Sequence, residues 1–212
     1  MAATWDSAYL LDLFNRYASR PTVDEISDAQ KYRWLTEAQT GVVADIAARC
    51  PNVLFGAPTA MTTADGGKTY TFGTDSNGYP LFPFGSAKVF VSLNNVPDYP
   101  LIEGYDYISE GTTIRVPDGR TLTAPLYWYG ITQPADITAI VQPSLTPAPS
   151  RVLIALDAAR RFTTTLNRPD LAADLGGQYA RELPRWLLVW RRQFSSGGAL
   201  GSVSGLRAAM LS

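Results

Sequence analysis

The sequence predicts an α+β protein: a helical bundle from N- and C-terminal helices, an inserted antiparallel β domain, and an extended C-terminal tail. Three observations carry this. Residues 1–50 and 150–194 place apolar side chains at helical spacing. Residues 52–146 do not: they hold 10 of the 17 glycines, and 12 of the 15 prolines fall between Pro51 and Pro149. Their short alternating runs lie between turn dipeptides, the pattern of an antiparallel sheet, a small sandwich or a barrel. Residues 195–212 are rich in Gly, Ser and Ala and cannot form a core of their own. The expected units are therefore 1–50 with 150–194, then 52–146, then a flexible 195–212.

The first helix carries Trp5, Tyr9, Leu10, Leu13, Phe14 and Tyr17 as one stripe. Arg20-Pro21 ends it, because proline disfavours helical geometry in the residue before it. Thr22-Val-Asp-Glu25 reads as a capping box opening the second helix. Ile26, Ala29, Leu35, Ala38, Val42, Ile46 and Ala47 continue its stripe to about Arg49, and Pro51 stops it. Such a helix of about 27 residues is about 40 Å long. That exceeds twice the radius of gyration of about 17 Å for a compact chain of this length. An elongated monomer, or a bend at Gly41, is expected.

In the β block, Asp65-Gly66-Gly67 before Lys68–Phe72 is a hairpin signal. Lys88–Leu93 alternates, with Val89, Val91 and Leu93 on one face. Tyr105–Ile108 and Thr112–Val116 read as short strands around Glu110-Gly111. Asp118-Gly119 is a second tight turn, followed by strands over Leu126–Ile131 and Ile137–Val141. Pro143 to Pro149 forms a stiff connector.

Ser150 is the expected N-cap of a helix over Arg151–Leu166, with Val152, Leu153, Leu156, Ala159 and Phe162 along one side. Asn167-Arg-Pro-Asp170 restarts a helix, with Asn167 as cap, Pro169 in the first turn and Asp170 favouring the helix dipole. Gly176-Gly177 and Pro184 weaken it, so two pieces are expected. Arg181–Phe194 is amphipathic and basic. The tail keeps Leu200, Val203, Leu206, Met210 and Leu211 as isolated apolar points. Extended, it reaches about 60 Å.

Composition narrows the function. The chain has no histidine, which removes Ser-His-Asp and Cys-His catalysis and most zinc and non-haem iron sites. Cys50 is the only cysteine and reads as a small buried apolar residue. Charged residues are only 17%, which implies surface covered by neighbouring subunits. The formal net charge of −1 is segregated: −2 over 1–50, −4 over 51–150 and +5 over 151–212. The whole-chain value excludes a simple polycationic nucleic-acid binder, but it hides a basic C-terminal quarter. The start, MAATWDSAYL, lacks a basic region followed by an apolar one, so no secretory leader is expected. Trp186–Trp190 is too short an apolar run to span a bilayer. No cofactor and no metal are expected.

No group of residues reads as an active site. Asp98, Glu103, Asp106 and Glu110 sit beside turn-forming Pro97, Pro100, Gly104 and Gly111, which suits solvated turns better than an acid pair. Tyr127, Trp128 and Tyr129 alternate across two strand faces, so they read as core and subunit contact rather than a stacking platform. Asp65–Thr69 lacks the spacing of a phosphate loop. Arg160, Arg161, Arg185, Arg191 and Arg192 read first as helix-face charges with acidic neighbours. A helical stalk, an inserted β domain and an apolar-dotted tail are the organisation of an assembly component.

The order of these blocks, over about the whole chain, resembles that of tailed-phage head-to-tail connector (adaptor) proteins, with the large β insertion leaning towards the tail tubular type. The phrases that carry the likeness are Leu101-Ile-Glu-Gly-Tyr-Asp-Tyr107, Gly111-Thr-Thr-Ile-Arg-Val-Pro-Asp-Gly119, Leu126-Tyr-Trp-Tyr-Gly-Ile131, Pro134-Ala-Asp-Ile137 and Asn167-Arg-Pro-Asp170. The resemblance implies a structural, non-enzymatic protein of the virion neck, made in the host cytoplasm. It implies a ring, usually of twelve copies, beneath the portal protein. It also implies a channel that genomic DNA passes through without specific binding, and a platform for a tail or stopper (nozzle) protein; no membrane is involved. The net −4 of the β block suits a lumen that repels phosphate. On this reading the portal-docking residues are Arg185, Arg191, Arg192 and Phe194, leading out of the last helix, and Leu206, Arg207, Met210 and Leu211 in the tail. The rival readings are a carbohydrate- or receptor-binding β module of a phage tail and an enzyme that uses carboxylates alone.

Overall fold

The third helix organises the structure. In the computed structural model, which describes residues 7–21, 25–54, 58–63, 65–74, 83–84, 88–91, 99–120, 122, 125–139 and 150–195, four helices are present. They are α1 (Ser7–Tyr17), α2 (Asp28–Arg49), α3 (Ser150–Thr165) and α4 (Pro169–Ser195). Leu153, Ile154, Ala155, Leu156, Ala158, Ala159 and Phe162 of α3 are all buried. A helix apolar on nearly every side must be enclosed, and α3 packs against α1, α2 and α4. Helices from both ends of the chain thus form one bundle. The Phe14 and Phe162 rings meet in a tilted pair with centroids 5.6 Å apart.

The helix ends follow local chemistry. Ser27, not Thr22, caps α2: its extended backbone presents Oγ to the Gln30 amide, while Gln30 Oε1 accepts from the Ser27 amide at 2.9 Å. Ser27-Asp-Ala-Gln30 satisfies the same capping-box pattern a turn later than expected. Thr22 lies outside the described residues. The helix has 22 residues, about 33 Å, and runs unbroken through Gly41. A Cβ at Gly41 would stand 2.9 Å from Arg161 Nη2, so glycine leaves room for that guanidinium.

Two helices close in the same way. Arg20 N donates to Asn15 O and Ser19 N to Arg16 O, with Ser19 and Arg20 at positive φ. Arg168 N donates to Thr163 O and Asn167 N to Thr164 O, with Asn167 at φ 54°. Both are Schellman closures. Asn167 therefore ends α3 rather than capping α4, because its short side chain tolerates left-handed backbone. Ser150, expected as a cap, is the first residue of α3. Pro169 opens α4 as expected, where its missing N–H costs nothing.

Contrary to expectation, α4 is one 27-residue helix with Pro184 inside. Leu175, Leu183, Leu187 and Trp190 give it a single buried stripe, and α3 lies against it. That packing outweighs the missing hydrogen bond at the exposed Pro184.

The chain divides into two compact units, the helical one comprising Met1–Leu54 and Pro134–Ser196 and the other built on Phe55–Gln133. Residues 134–139 therefore belong with the helices, not with the β block. The strand expected over 137–141 is absent from the described part, 137–139. Instead, Gln39 Nε2 donates to Ala135 O at 2.8 Å, the Ile137 amide donates to Thr36 Oγ1 at 2.9 Å, and Ser7 Oγ donates to Ala139 O at 3.3 Å. Side chains of α1 and α2 meet this segment's backbone needs, so it requires no strand partner. Residues 140–149 and 196–212, which include the expected connector and all but the first residue of the tail, lie outside the described residues.

Among the described residues, the β unit contains two four-stranded antiparallel sheets. The strands are β1 (Thr59–Ala60), β2 (Thr62–Thr63), β3 (Thr69–Thr71), β4 (Lys88–Val91), β5 (Tyr99–Pro100), β6 (Ile108–Ser109), β7 (Thr113–Arg115) and β8 (Leu126–Tyr129). Their orders are β1-β8-β4-β5 and β2-β3-β7-β6. Register pairs Val89 with Trp128 and Tyr70 with Ile114. Tyr70, Phe72, Ile114, Leu126 and Trp128 share one core. Trp128 Nε1 donates to Phe72 O at 2.8 Å, and the two rings stand edge to face. Tyr105-Asp106 is a turn rather than strand. Gly104 takes φ 84°, and the Asp106 carboxylate accepts the Ile102 amide at 2.9 Å.

Ile154 is fully buried at the centre of the bundle. Ile154→Ala is expected to destabilise the helical unit by about 2–5 kcal/mol in urea unfolding, and Leu188→Ala, on the solvent face of α4, by less than about 0.5 kcal/mol.

Candidate interaction surface

On α4 the buried stripe leaves the opposite side to solvent. Arg181, Pro184, Arg185, Leu188, Arg191 and Arg192 are exposed there. Arg185 is 72% exposed and reaches Glu182 only at 3.6 Å. Arg191 Nη2 donates to the Arg49 carbonyl at 2.9 Å, a cation on the carbonyl end of α2. Of the expected docking residues, Arg185, Arg191 and Arg192 are thus brought together on one helix surface. Phe194 falls in α4, but its side chain lies outside the described residues, as do Leu206, Arg207, Met210 and Leu211.

Arg160 and Arg161 have a structural role. The carboxylate of buried Asp157 accepts from Arg160 Nη2 at 2.6 Å and from Arg161 Nε at 2.7 Å. Two cations on one carboxylate offset its burial. Tyr179 donates to Asp45 Oδ2 at 2.7 Å, joining α4 to α2. Burial first, and then this bond, push the Tyr179 hydroxyl pKa well above its ordinary value.

Among the described acidic residues of the β unit, Asp106 and Glu110 each pair with an arginine. Asp98 lies outside the described residues. Asp106 is nearly buried and accepts from Arg120 Nη1 at 2.7 Å, while Glu110 accepts from Arg115 Nε at 2.7 Å. Glu103 is exposed on the turn between Ile102 and Tyr105. Trp128 and Tyr129 are buried and Tyr127 is half-buried, so these rings form no open platform. Cys50 is buried at the C-cap of α2.

A groove of about 560 Å³ lies between α2 and the 136–139 segment, lined by Ala29, Tyr32, Thr36, Ile137 and Ala139 among others. Its lining has no histidine, cysteine or lysine, and the Thr36 hydroxyl is already bonded to the Ile137 amide. Among the described residues no group of His, Cys, Asp or Glu is placed to hold a metal ion, and no helix is long and apolar enough to cross a membrane.

Sequence reasoning missed the exposed apolar side chains: Ile102 and Tyr105 at 61% and Leu188 at 52%. The signals were present. Trp186–Trp190 is a continuous apolar run in an amphipathic helix, which cannot all face inward. Ile102 and Tyr105 flank a turn glycine.

Known protein families and curated proteins were both searched, and neither gives a match to the chain.

Asp65 shapes the β2–β3 turn. It is held at about 2, below its ordinary 3.8, first by the Thr69 amide and then by the Thr69 and Thr63 hydroxyls and the Lys68 amide. A depressed carboxylate contributes stability above 3.8 that is lost as pH falls towards about 2. The thermal stability of the β unit is expected to fall as pH drops through that window, and Asp65→Asn to flatten the dependence. An unchanged pH profile in the variant would contradict this role.

Proposed function

We propose that the chain is a head-to-tail connector of a tailed phage, a structural protein that forms a ring beneath the portal. The observation that supports this best is the helical unit built from both ends of the chain, with the β unit inserted between α2 and α3. That is the block order of the connectors the sequence resembles. The bundle provides a rigid body, and the insertion provides a second surface on the same subunit. A ring needs two different surfaces per copy.

On this reading the end of α4 and the residues after it face the portal. Arg191 and Arg192 stand exposed near the end of the helix, and Leu206, Arg207, Met210 and Leu211 follow in sequence. A Gly/Ser-rich segment gains little by folding alone, yet it keeps spaced apolar residues that a partner surface can bury. Each Leu or Met buried contributes about 1.5–3 kcal/mol, against about 1–2 kcal/mol per ordered backbone residue. One tail alone binds weakly. Repetition around a ring multiplies the effect through effective concentration. The acidic β unit would meet DNA without holding it.

The glycan-binding alternative calls for aromatic rings on one open face. Among the described side chains of the β unit, Tyr105 is the one largely exposed ring, and the Arg120 guanidinium lies over it at 3.6 Å.

Deleting residues 196–212 is expected to abolish attachment to purified portals, while Ile154-centred bundle unfolding stays unchanged. Retained portal attachment and completed tails would overturn the docking role. Electron microscopy of portals mixed with full-length protein is expected to show an added ring.

A further inference from the structure

We propose that one copy of this chain docks on the next head to tail. The stripe Arg181, Arg185 and Leu188 of α4 on one copy meets the turn Ile102, Glu103 and Tyr105 on its neighbour. Among the described residues, the large apolar side chains that stand mostly in solvent are Ile102, Tyr105 and Leu188. They occur at two places of opposite charge.

Leu188 follows Arg181 and Arg185 by seven and three positions, so the three lie on one face of α4. Arg181 has no ion pair among the described residues, and Arg185 has only the long one to Glu182. On the β unit, Glu103 sits between Ile102 and Tyr105, and no cation among the described residues pairs with it. Arg120, over the Tyr105 ring, is already neutralised by Asp106 at 2.7 Å. An apolar centre with charged flanks is the composition of a small docking patch.

Charge decides which patch meets which. Two α4 stripes would set arginine against arginine, and two turns would set glutamate against glutamate. Only stripe against turn joins apolar to apolar and cation to anion. The contact is therefore heterologous, and a heterologous contact closes into a ring or runs on as a filament. This deepens the connector reading and rests on it only for closure of the ring. It assigns Arg185 to the neighbouring copy and leaves Arg191, Arg192 and the tail to the portal.

Covalent capture tests it. Cys50 is the only cysteine and is buried, so introduced thiols are the accessible ones. Ile102→Cys and Leu188→Cys proteins, mixed in equal amounts and oxidised by dissolved oxygen, are expected to give the mixed disulfide dimer at least about tenfold over either like-with-like dimer. Adding Arg185→Glu to the Leu188→Cys protein is expected to remove that preference. Adding Glu103→Arg to the other protein is expected to restore it. Statistical proportions of the three dimers, or indifference to both charge reversals, would overturn the proposal. A chain that passes but fails to bind portals keeps this contact and loses the connector reading. A chain that binds portals but gives no mixed dimer loses this contact alone.

Discussion

The enclosure of α3 is the constraint on which the rest depends. Its alanines Ala155, Ala158 and Ala159 are buried together with Leu153, Ile154, Leu156 and Phe162, so neighbours must approach on several sides. α1 and α2 lie more than 100 residues earlier in sequence, α4 immediately after. The bundle therefore exists only when the two ends of the chain meet. The residues between become an insertion by necessity, folding around their own core of Tyr70, Phe72, Ile114 and Trp128. Polar links follow the same logic: Arg168 to Glu25 at 3.1 Å, Tyr179 to Asp45 at 2.7 Å and Arg191 to the Arg49 carbonyl at 2.9 Å all tie late sequence to early sequence.

The same enclosure sorts charge. α3 consumes Arg160 and Arg161 internally on Asp157. What remains outward on α4 between Arg181 and Arg192 is basic with Leu188 as its large apolar point, and what remains outward on the 102–105 turn is acidic with two. On the proposed reading, these outward residues serve recognition between subunits. Function on this account lies in surfaces rather than in a pocket.

Much of the architecture was legible because it rests on period and punctuation. Leu10, Leu13 and Phe14, or Leu35, Ala38, Val42 and Ile46, repeat at helical spacing and are buried as that spacing requires. Asp65-Gly-Gly67 turns between β2 and β3 as its glycines dictate, at φ 73° and 95°. What was not legible depends on competition between local and distant partners. Thr22 and Ser27 both open a capping-box pattern, and only geometry chose Ser27. Pro184 breaks helices in isolation but not one held by Leu183, Leu187 and Trp190. Ile137–Val141 has strand-like composition, but in its described part the Ile137 amide donates to Thr36 of α2 and the Ala139 carbonyl accepts from Ser7 of α1. The outward stripe of α4 was half legible: its arginines were evident, but Leu188 lies in the apolar run Trp186–Trp190, where composition does not mark which side chain faces out.

The central claim is that helices on either side of the insertion form one cooperative body. Native-state hydrogen exchange along a urea series tests it most directly. The account predicts that amides of α2 and α3 lose protection together, through a single opening, while strands β3 and β8 follow their own transition. Loss of protection in α2 well before α3, as two independent helical pieces, would contradict it.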